Sequence, residues 1–600
     1  MRSYTRAFGW WLALLVVAVG AKLALLSLRI VDDGRAGVGG PWGAIAVFTE
    51  DLRLATLFAA FVALTGIARS GRRERLAALA TGFVFVVLAT WIAANVPIAR
   101  LLSTPLTYGL LHATGSALGD SVARYATVPN VGLPLVLLAG GLAFARGVRP
   151  RIAPRRAVLL AISLAVVVLL ALGPIAIRRS ETAGLHRNAV LALAETAAAR
   201  WFAPRRAARP ALTSPPCRSH DEAPSPATAG ELAGIARGRS IVWVILESVG
   251  ARALSSYGNP REAAPELAAL ARDAIVFDRA YTAYPESIKG LFSVLCSREP
   301  PPGSEASDYA VGHIACVPVA DQMARAGYRT GLFHSGWFVY LGMRAVVERR
   351  GFQELRDAGS IASPHRSSFG VDDRATADAL LAFVDSLPAG QRFFAVFMPI
   401  AGHHPYHAPG VAPRPFPEAS DRDAQANDVH VADDAFGRLR AGLRARKLDD
   451  QVVYVVFGDH GEAFREHPAN IAHALYLYEE NVRVPFFIAA PGAGLRARRL
   501  PPLASLLDLA PTTLALAGLR VPLQYEGQSL LEAQPKLARF STEQGRRWVG
   551  LRDGRWKLIL DEDSGRPQLY DLEGDPGERA DQSTARGDVV DRYRGCLAAR

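Results

Sequence analysis

Only four cysteines occur in 600 residues, and none forms a CxxC pair or a Cys/His array, so zinc-finger chemistry is excluded. No internal repeat is visible, which excludes a repeat architecture. Positive charge is scarce where a nucleic-acid binder would need it. The formal net charge is +12, yet residues 1–179 hold 19 Lys+Arg against 6 Asp+Glu, leaving about −1 for the rest. The basic excess thus sits between apolar runs, and nucleic-acid binding gets no support from it.

Long apolar runs are plentiful in that first part. They occur at about 8–31, 53–68, 77–98, 131–145 and 157–177, most of them near the roughly 17–25 residues a membrane helix needs. Five transmembrane helices are therefore expected over residues 1–179. Lys22 inside the first run is compatible with a span if it snorkels or faces other helices. The competing reading of that run, a cleavable signal peptide after Arg2 and Arg6, is less favoured because further runs follow.

Orientation follows from arginine placement. Arg69, Arg72, Arg73 and Arg75 share one loop, and Arg146, Arg149, Arg151, Arg155 and Arg156 another, which marks that side as cytoplasmic. An odd number of spans then puts everything after Arg179 outside, as expected for an integral membrane protein. Cysteine usage is in keeping with an oxidising compartment: Cys296 and Cys316 are placed for a local bridge and Cys217 and Cys596 for a longer one, with free buried thiols as the alternative.

Residues 180–239 read as a connector, a helical patch (LHRNAVLALAETAAARWF) followed by a stretch rich in proline, serine and alanine. From 240 onward short apolar runs alternate with helical patterns: SIVWVILE, APELAALARDA, YRTGLFH, DDRATADALLAFVDSL, RFFAVFMPI, DDAFGRLRAGLRAR, QVVYVVFGDH and VPFFIAAPG. Such alternation predicts an α/β domain over 240–530 with a largely parallel sheet. Ligands of such sheets gather beyond the carboxyl ends of the strands. There the sequence places Glu247, His334, the AGHHPYH stretch with His403, His404 and His407, and Asp459–His460. Two carboxylates and an imidazole suit one divalent cation, Mn²⁺, Zn²⁺, Mg²⁺ or Ca²⁺. Ser287, after a proline turn and before a helix-compatible segment, is the candidate nucleophile, with helix N–H groups near an incoming anion; a simple N-cap serine is the duller alternative.

Several motifs in order, SSYGNPREAAPELAALARDAIVFDRAYT, GDHGEAFREH, YEENVRVPFFIAAPG and RRWVGLRDGRWKLILDEDSGRPQLYDLEGDPGE, resemble the alkaline phosphatase superfamily in its sulfatase-like branch. The resemblance implies a small C-terminal α+β subdomain over 531–600 and a metal held by Glu247, Ser287, Asp459 and His460, with Ser287 also the nucleophile and Mn²⁺ the favoured ion. It implies substrate contacts at His403 and, with less regular spacing, at His334 and Arg344; His467 matches a further histidine and is expected to protonate the leaving group. His404, His407 and Lys289 are neighbours of these positions. Formylglycine sulfatases carry proline two residues after the modified position, whereas Ser287 is followed by IKGLF, and their usual paired aspartates are here Glu247 and Ser248. A single glutamate with an unmodified hydroxyl, behind about five spans, is similar to the lipoteichoic acid synthases and related phosphoglycerol or phosphoethanolamine transferases. That similarity implies a phospholipid donor, a glycan or lipid acceptor, and an integral protein of a bacterial inner (plasma) membrane with a periplasmic or extracellular catalytic domain. A sulfatase or phosphodiesterase acting on a soluble ester, and a catalytically silent membrane scaffold, are the rival readings.

Overall fold

The computed structural model describes residues 2–34, 38–65, 72–108, 111, 123, 125–148, 155–202, 232–304, 306–310, 313–531, 537–544 and 546–598. Its first part is a bundle of α1 (Arg2–Asp33), α2 (Gly40–Thr65), α3 (Arg72–Leu102), α4 (Val128–Ala143, continued by a π-helical turn Phe144–Val148) and α5 (Arg156–Arg179). Four of these, α1, α3, α4 with its extension, and α5, are long and apolar enough to cross a membrane. The expected fifth span, over α2, is the exception among the described residues, so the odd count on which the outward placement after Arg179 rests is not met by length and hydropathy. Its helix starts well before the apolar run and carries Glu50, Asp51 and Arg53 near its middle. The acids are satisfied inside the protein: the Asn188 amide donates to Asp51 at 2.6 Å, Lys22 lies 3.6 Å from it, and the Asn188 N–H donates to Glu50 at 2.5 Å. Charges paired in this way lose much of their burial cost, so α2 packs along the bundle despite its interrupted hydrophobicity.

The helical patch of the connector is also bound to the bundle. It forms α6 (Ala189–Phe202), whose first carbonyl accepts from the Trp91 indole at 3.0 Å, and Lys22 and Arg29 donate to the carbonyls of Arg187 and Ala183 at 2.6 Å each. The proline-rich stretch and Cys217 lie outside the described residues.

The second part is built on β1 (Ser240–Leu246), whose side chains alternate between two cores as a period of two requires. Ile241, Trp243 and Ile245 enter one core, and Val242, Val244 and Leu246 the other. Fully burying each such side chain contributes about 1.5–3 kcal/mol, which is why a run apolar at every position occupies the sheet's middle. Trp243 also keeps its indole N–H satisfied, donating to Thr513 at 3.0 Å.

Strand order is β11-β2-β10-β6-β1-β5-β3-β4, with β9 beside β2. The members are β2 (Ala274–Tyr281), β3 (Arg329–His334), β4 (Glu354–Arg356), β5 (Phe393–Met398), β6 (Val452–Gly458), β9 (Arg483–Val484), β10 (Phe486–Ala489) and β11 (Arg498–Ser505). Pairing from β6 through β1, β5 and β3 to β4 is parallel throughout, while β10 runs against both its neighbours. The covering helices include α7 (Pro265–Arg272), α8 (Ser287–Cys296), α9 (Val319–Arg325), α10 (Asp373–Asp385), α11 (Asp421–Ala445) and α12 (Leu509–Leu516). A hairpin, β7 (Ala463–Phe464) with β8 (Ile471–Ala472), stands apart from the sheet just past β6. The C-terminal part is a four-stranded antiparallel sheet over Ala538–Asp571 with α13 (Gly587–Ala598) against it. Cys296 and Cys316 are joined, and Cys596 is also disulfide-bonded.

Candidate functional site

The parallel strands β1 and β6 lie side by side with Leu246 opposite Gly458, so the residues that follow them, Glu247 and Asp459–His460, emerge together at one rim. A charge at the end of the buried strand β1 has its place there. Ser287 opens α8 and is brought to the same point, its hydroxyl donating to the Glu247 oxygens at 3.0 and 3.1 Å and lying 3.2 Å from His460 Nε2. His460 Nε2 is 3.6 Å from Glu247 and 3.5 Å from Asp459. The four residues that the sequence assigns to one ion therefore converge.

Their electrostatics fit a cation. Burial and then the neighbouring Asp459 carboxylate push the Glu247 pKa well above its ordinary value, and burial lifts Asp459 to about 6. Two carboxylates sealed from water repel each other unless a positive charge joins them. Asp459 Oδ1 is already used, accepting the N–H groups of Ser248 at 3.0 Å and His460 at 2.8 Å, while its Oδ2 is buried without a hydrogen-bond partner. Ligand atoms of Glu247, Asp459 and His460 lie within 4.8 Å of one another. An orphaned carboxylate oxygen facing a second carboxylate, an imidazole and a hydroxyl is a donor set for Mn²⁺, Zn²⁺, Mg²⁺ or Ca²⁺.

The backbone pays for this convergence at two places. Ser248 adopts φ 57°, a left-handed turn that aims its N–H at Asp459. Gly402, at φ 105°, lets the His403 loop approach so closely that a Cβ there would stand 2.3 Å from the Glu247 carbonyl oxygen. One expectation about Ser287 changes. Glu286, not Ser287, is the N-cap of α8, its carboxylate accepting from Ile288 N at 3.1 Å and Lys289 N at 3.3 Å, so those N–H groups are occupied.

Among the expected substrate contacts, His403 faces the site. Its ring lies 6.3 Å from that of His473 and 4.6 Å from Phe369, and burial lowers its pKa to about 4. It lines a cavity of about 410 Å³ together with His365, Arg366, Phe369, His404 and His407. His334, at the end of β3, is buried with Nδ1 3.0 Å from the Met398 carbonyl, and burial lowers its pKa to about 4. His404 stacks on Tyr125 with ring centroids 5.1 Å apart. Arg344 is exposed at the start of a single-turn helix, Arg344–Val347. Lys289 turns to Tyr284, 3.3 Å away, and to Glu543, 4.0 Å away.

His467 is not brought to Ser287. Its Nδ1 is 2.6 Å from Glu480, its Nε2 is 3.0 Å from the Glu578 carbonyl, and its ring stacks on Tyr478. The imidazole beside the site is His473, whose ring lies 4.1 Å from that of His460 and whose Nδ1 is 2.8 Å from Glu462, which also accepts from Tyr406 at 2.5 Å. Glu462, in the GDHGE motif, was the available signal, since a buried acid at such a place asks for a basic partner. Its partner is chosen by the β7–β8 hairpin, which no local pattern announces.

The His467–Glu480 pair has a pH signature of its own. Burial alone lowers the His467 pKa, but the Glu480 carboxylate outweighs it and the net shift is upward; burial raises Glu480, but His467 outweighs it and the net shift is downward. The histidine's contribution to stability is full below its unfolded pKa of about 6.5 and is lost as pH rises through its higher folded value. The glutamate's is full above about 4.5 and is lost as pH falls through its lower folded value. Thermal denaturation from pH 5 to 9 should show the wild type losing stability on the alkaline side more steeply than His467→Gln.

Residues 239–519 match the sulfatase family model, and residues 473–588 match that of the N-sulphoglucosamine sulphohydrolase C-terminal region. Residues 239–519 are a sulfatase-family domain. The rat arylsulfatase K is 30% identical over 173 residues, 25% of this chain and 30% of that protein. Lipoteichoic acid synthase 2 of Bacillus subtilis (strain 168) is 23% identical over 303 residues, 48% of this chain and 46% of that protein. The chain thus spans less than half the length of these curated relatives. Over 62% of its length the chain shares its fold with the lipoteichoic acid synthase LtaP from Listeria monocytogenes, at TM-score 0.51 and 18% identity, covering 94% of that chain.

Proposed function

We propose that this chain is a membrane-anchored, metal-dependent transferase that moves a phosphoglycerol- or phosphoethanolamine-type group from a phospholipid to an extracytoplasmic hydroxyl acceptor through a phosphoseryl intermediate. The observation that carries this reading is the Ser287 hydroxyl, poised at 3.0–3.2 Å from Glu247 and His460 in a context, SIKGLF, without the proline of the formylglycine motif. Glu247, Ser287, Asp459 and His460 would hold the divalent cation, which when bound favours the alkoxide form of a hydroxyl and offsets phosphate charge.

Ser287 Oγ gives up its proton to the Glu247 carboxylate it already donates to and forms a bond to phosphorus as the bond from phosphorus to the diacylglycerol oxygen breaks. His473, oriented by Glu462, supplies the proton that the leaving oxygen takes up. His403 binds a phosphate oxygen from the cavity side, with Arg344 as the proposed second contact. The acceptor hydroxyl then displaces Ser287 from phosphorus, its proton returns to His473 and Glu247 returns its proton to Ser287 Oγ, so the enzyme is regenerated. Four apolar helices in the first part support a donor drawn from the bilayer, where tethering raises encounter frequency. The Cys296–Cys316 disulfide supports a catalytic domain on the oxidising side.

A hydrolase acting on a sulfate or phosphate ester is the second reading, favoured by the arylsulfatase K match. Intact-mass measurement separates the two after the full chain is incubated in detergent with phosphatidylglycerol or phosphatidylethanolamine. The transferase reading expects a phosphoglycerol or phosphoethanolamine adduct on the wild type and none on Ser287→Ala. An adduct persisting in the variant would remove Ser287 from its role, and turnover of a sulfate ester with water alone would favour the hydrolase. Glu462→Gln should lower kcat by about 10²-fold with little change in KM, since it leaves His473 without its orienting charge; steady-state kinetics on a chromogenic phosphodiester checks this.

A further inference from the structure

The β7–β8 hairpin joins the catalytic centre to the membrane helices. At its base Glu462 and His473 face each other at 2.8 Å, and His473 lies against His460. Its tip, residues 465–470, touches the ends of α1 and α3. Asp33 pairs with Arg465 at 2.7 Å and accepts the Ala469 N–H at 3.2 Å, while the Ser103 hydroxyl donates to the Ala469 carbonyl at 2.5 Å. Asp32 stands behind this contact, held by Arg100 at 2.8 Å and 3.5 Å from Arg465.

The hairpin's backbone explains why such a grip is needed. Arg465, Ala469 and Ala472 have φ of 68°, 63° and 61°, the left-handed region that disfavours any residue with a Cβ. Non-glycine residues persist there only where surrounding contacts hold them. For Ala469 both backbone polar groups are held by residues of the membrane bundle, more than 360 positions earlier in the chain.

We infer that Asp33, assisted by Ser103, is a positioning residue for the Glu462–His473 pair, so that the membrane bundle completes the catalytic centre as well as anchoring it. The inference rests on the proposed role of His473, and its test has a reading independent of turnover. The full chain in detergent would be compared with Asp33→Asn, and with Asp33→Asn combined with Ala469→Gly, by hydrogen exchange and by turnover of bis(p-nitrophenyl) phosphate.

In Asp33→Asn, exchange across 463–473 should rise at least about tenfold while the strands of the central sheet stay protected. Its kcat should fall about tenfold or more with KM within about twofold, because the misplaced group reacts without binding the ground state. Glycine at 469 adopts the left-handed conformation without strain, so the double variant should recover most of the lost rate. Unchanged exchange in 463–473, or raised exchange with unchanged kcat, would overturn the inference. Should Asp33→Asn loosen the whole domain, Ser103→Ala, which removes one hydrogen bond, gives the same comparison with the same criteria. If the wild type does not turn over the diester at all, the functional reading falls and the exchange comparison alone decides the clamp.

Discussion

Replacing Ser287 by alanine should abolish turnover, with kcat lower by about 10⁴-fold or more. The hydroxyl is the reacting atom and one of four groups converging on the same point, in contact with both Glu247 and His460. Alanine removes the nucleophile and leaves no substitute: the adjacent Ser248 hydroxyl donates to Glu247 at 3.0 Å but sits on a fully buried residue. The fold should survive, because Glu286 and not Ser287 caps α8. Kinetics and thermal denaturation on the same preparation check both halves of this expectation.

The second large effect is on stability. Lys557, in the C-terminal sheet, is fully buried with its ammonium 3.1 Å from Glu479 and 2.8 Å from Glu578. Burial raises the Glu479 pKa, but Lys557 together with Arg552 and Arg483 outweighs it and holds the group down at about 2, whereas burial keeps Glu578 above its ordinary value. Glu479 also accepts from the Tyr281 hydroxyl at 3.0 Å, and Glu578 from the Glu479 N–H at 2.6 Å, so this cluster ties the C-terminal sheet to the single-turn helix Glu479–Val482. Removing the cation leaves two carboxylates together in a dry core. Lys557→Ala should therefore cost about 3–5 kcal/mol, the range for breaking a buried pair from one side. Chemical denaturation of the full chain in detergent reads the loss directly; a cost below about 1 kcal/mol would mean the carboxylates find other partners.

Much of the site was legible because chemistry and strand pattern coincide. SIVWVILE ends a continuously apolar strand in a charge, QVVYVVFGDH does the same, and parallel pairing places both ends at one rim. The charges of α2 hid its length: Glu50 and Asp51 interrupt the hydrophobic run, and only tertiary contacts with Lys22 and Asn188 reveal how they are accommodated. His473 was hidden for a different reason. Three left-handed non-glycine residues turn the hairpin back on itself, and propensity argues against each of them. His467 has the expected spacing from His460, but Glu480 and the Glu578 carbonyl take both its nitrogens.

One shared ion underlies the whole account, and metal stoichiometry tests it most directly. Full-length protein stripped with chelator, reloaded with Mn²⁺ and washed should carry about one tightly held ion per chain by elemental analysis, and Asp459→Ala should carry none. An Asp459→Ala variant that retains the ion, or a wild type that binds none, would contradict it.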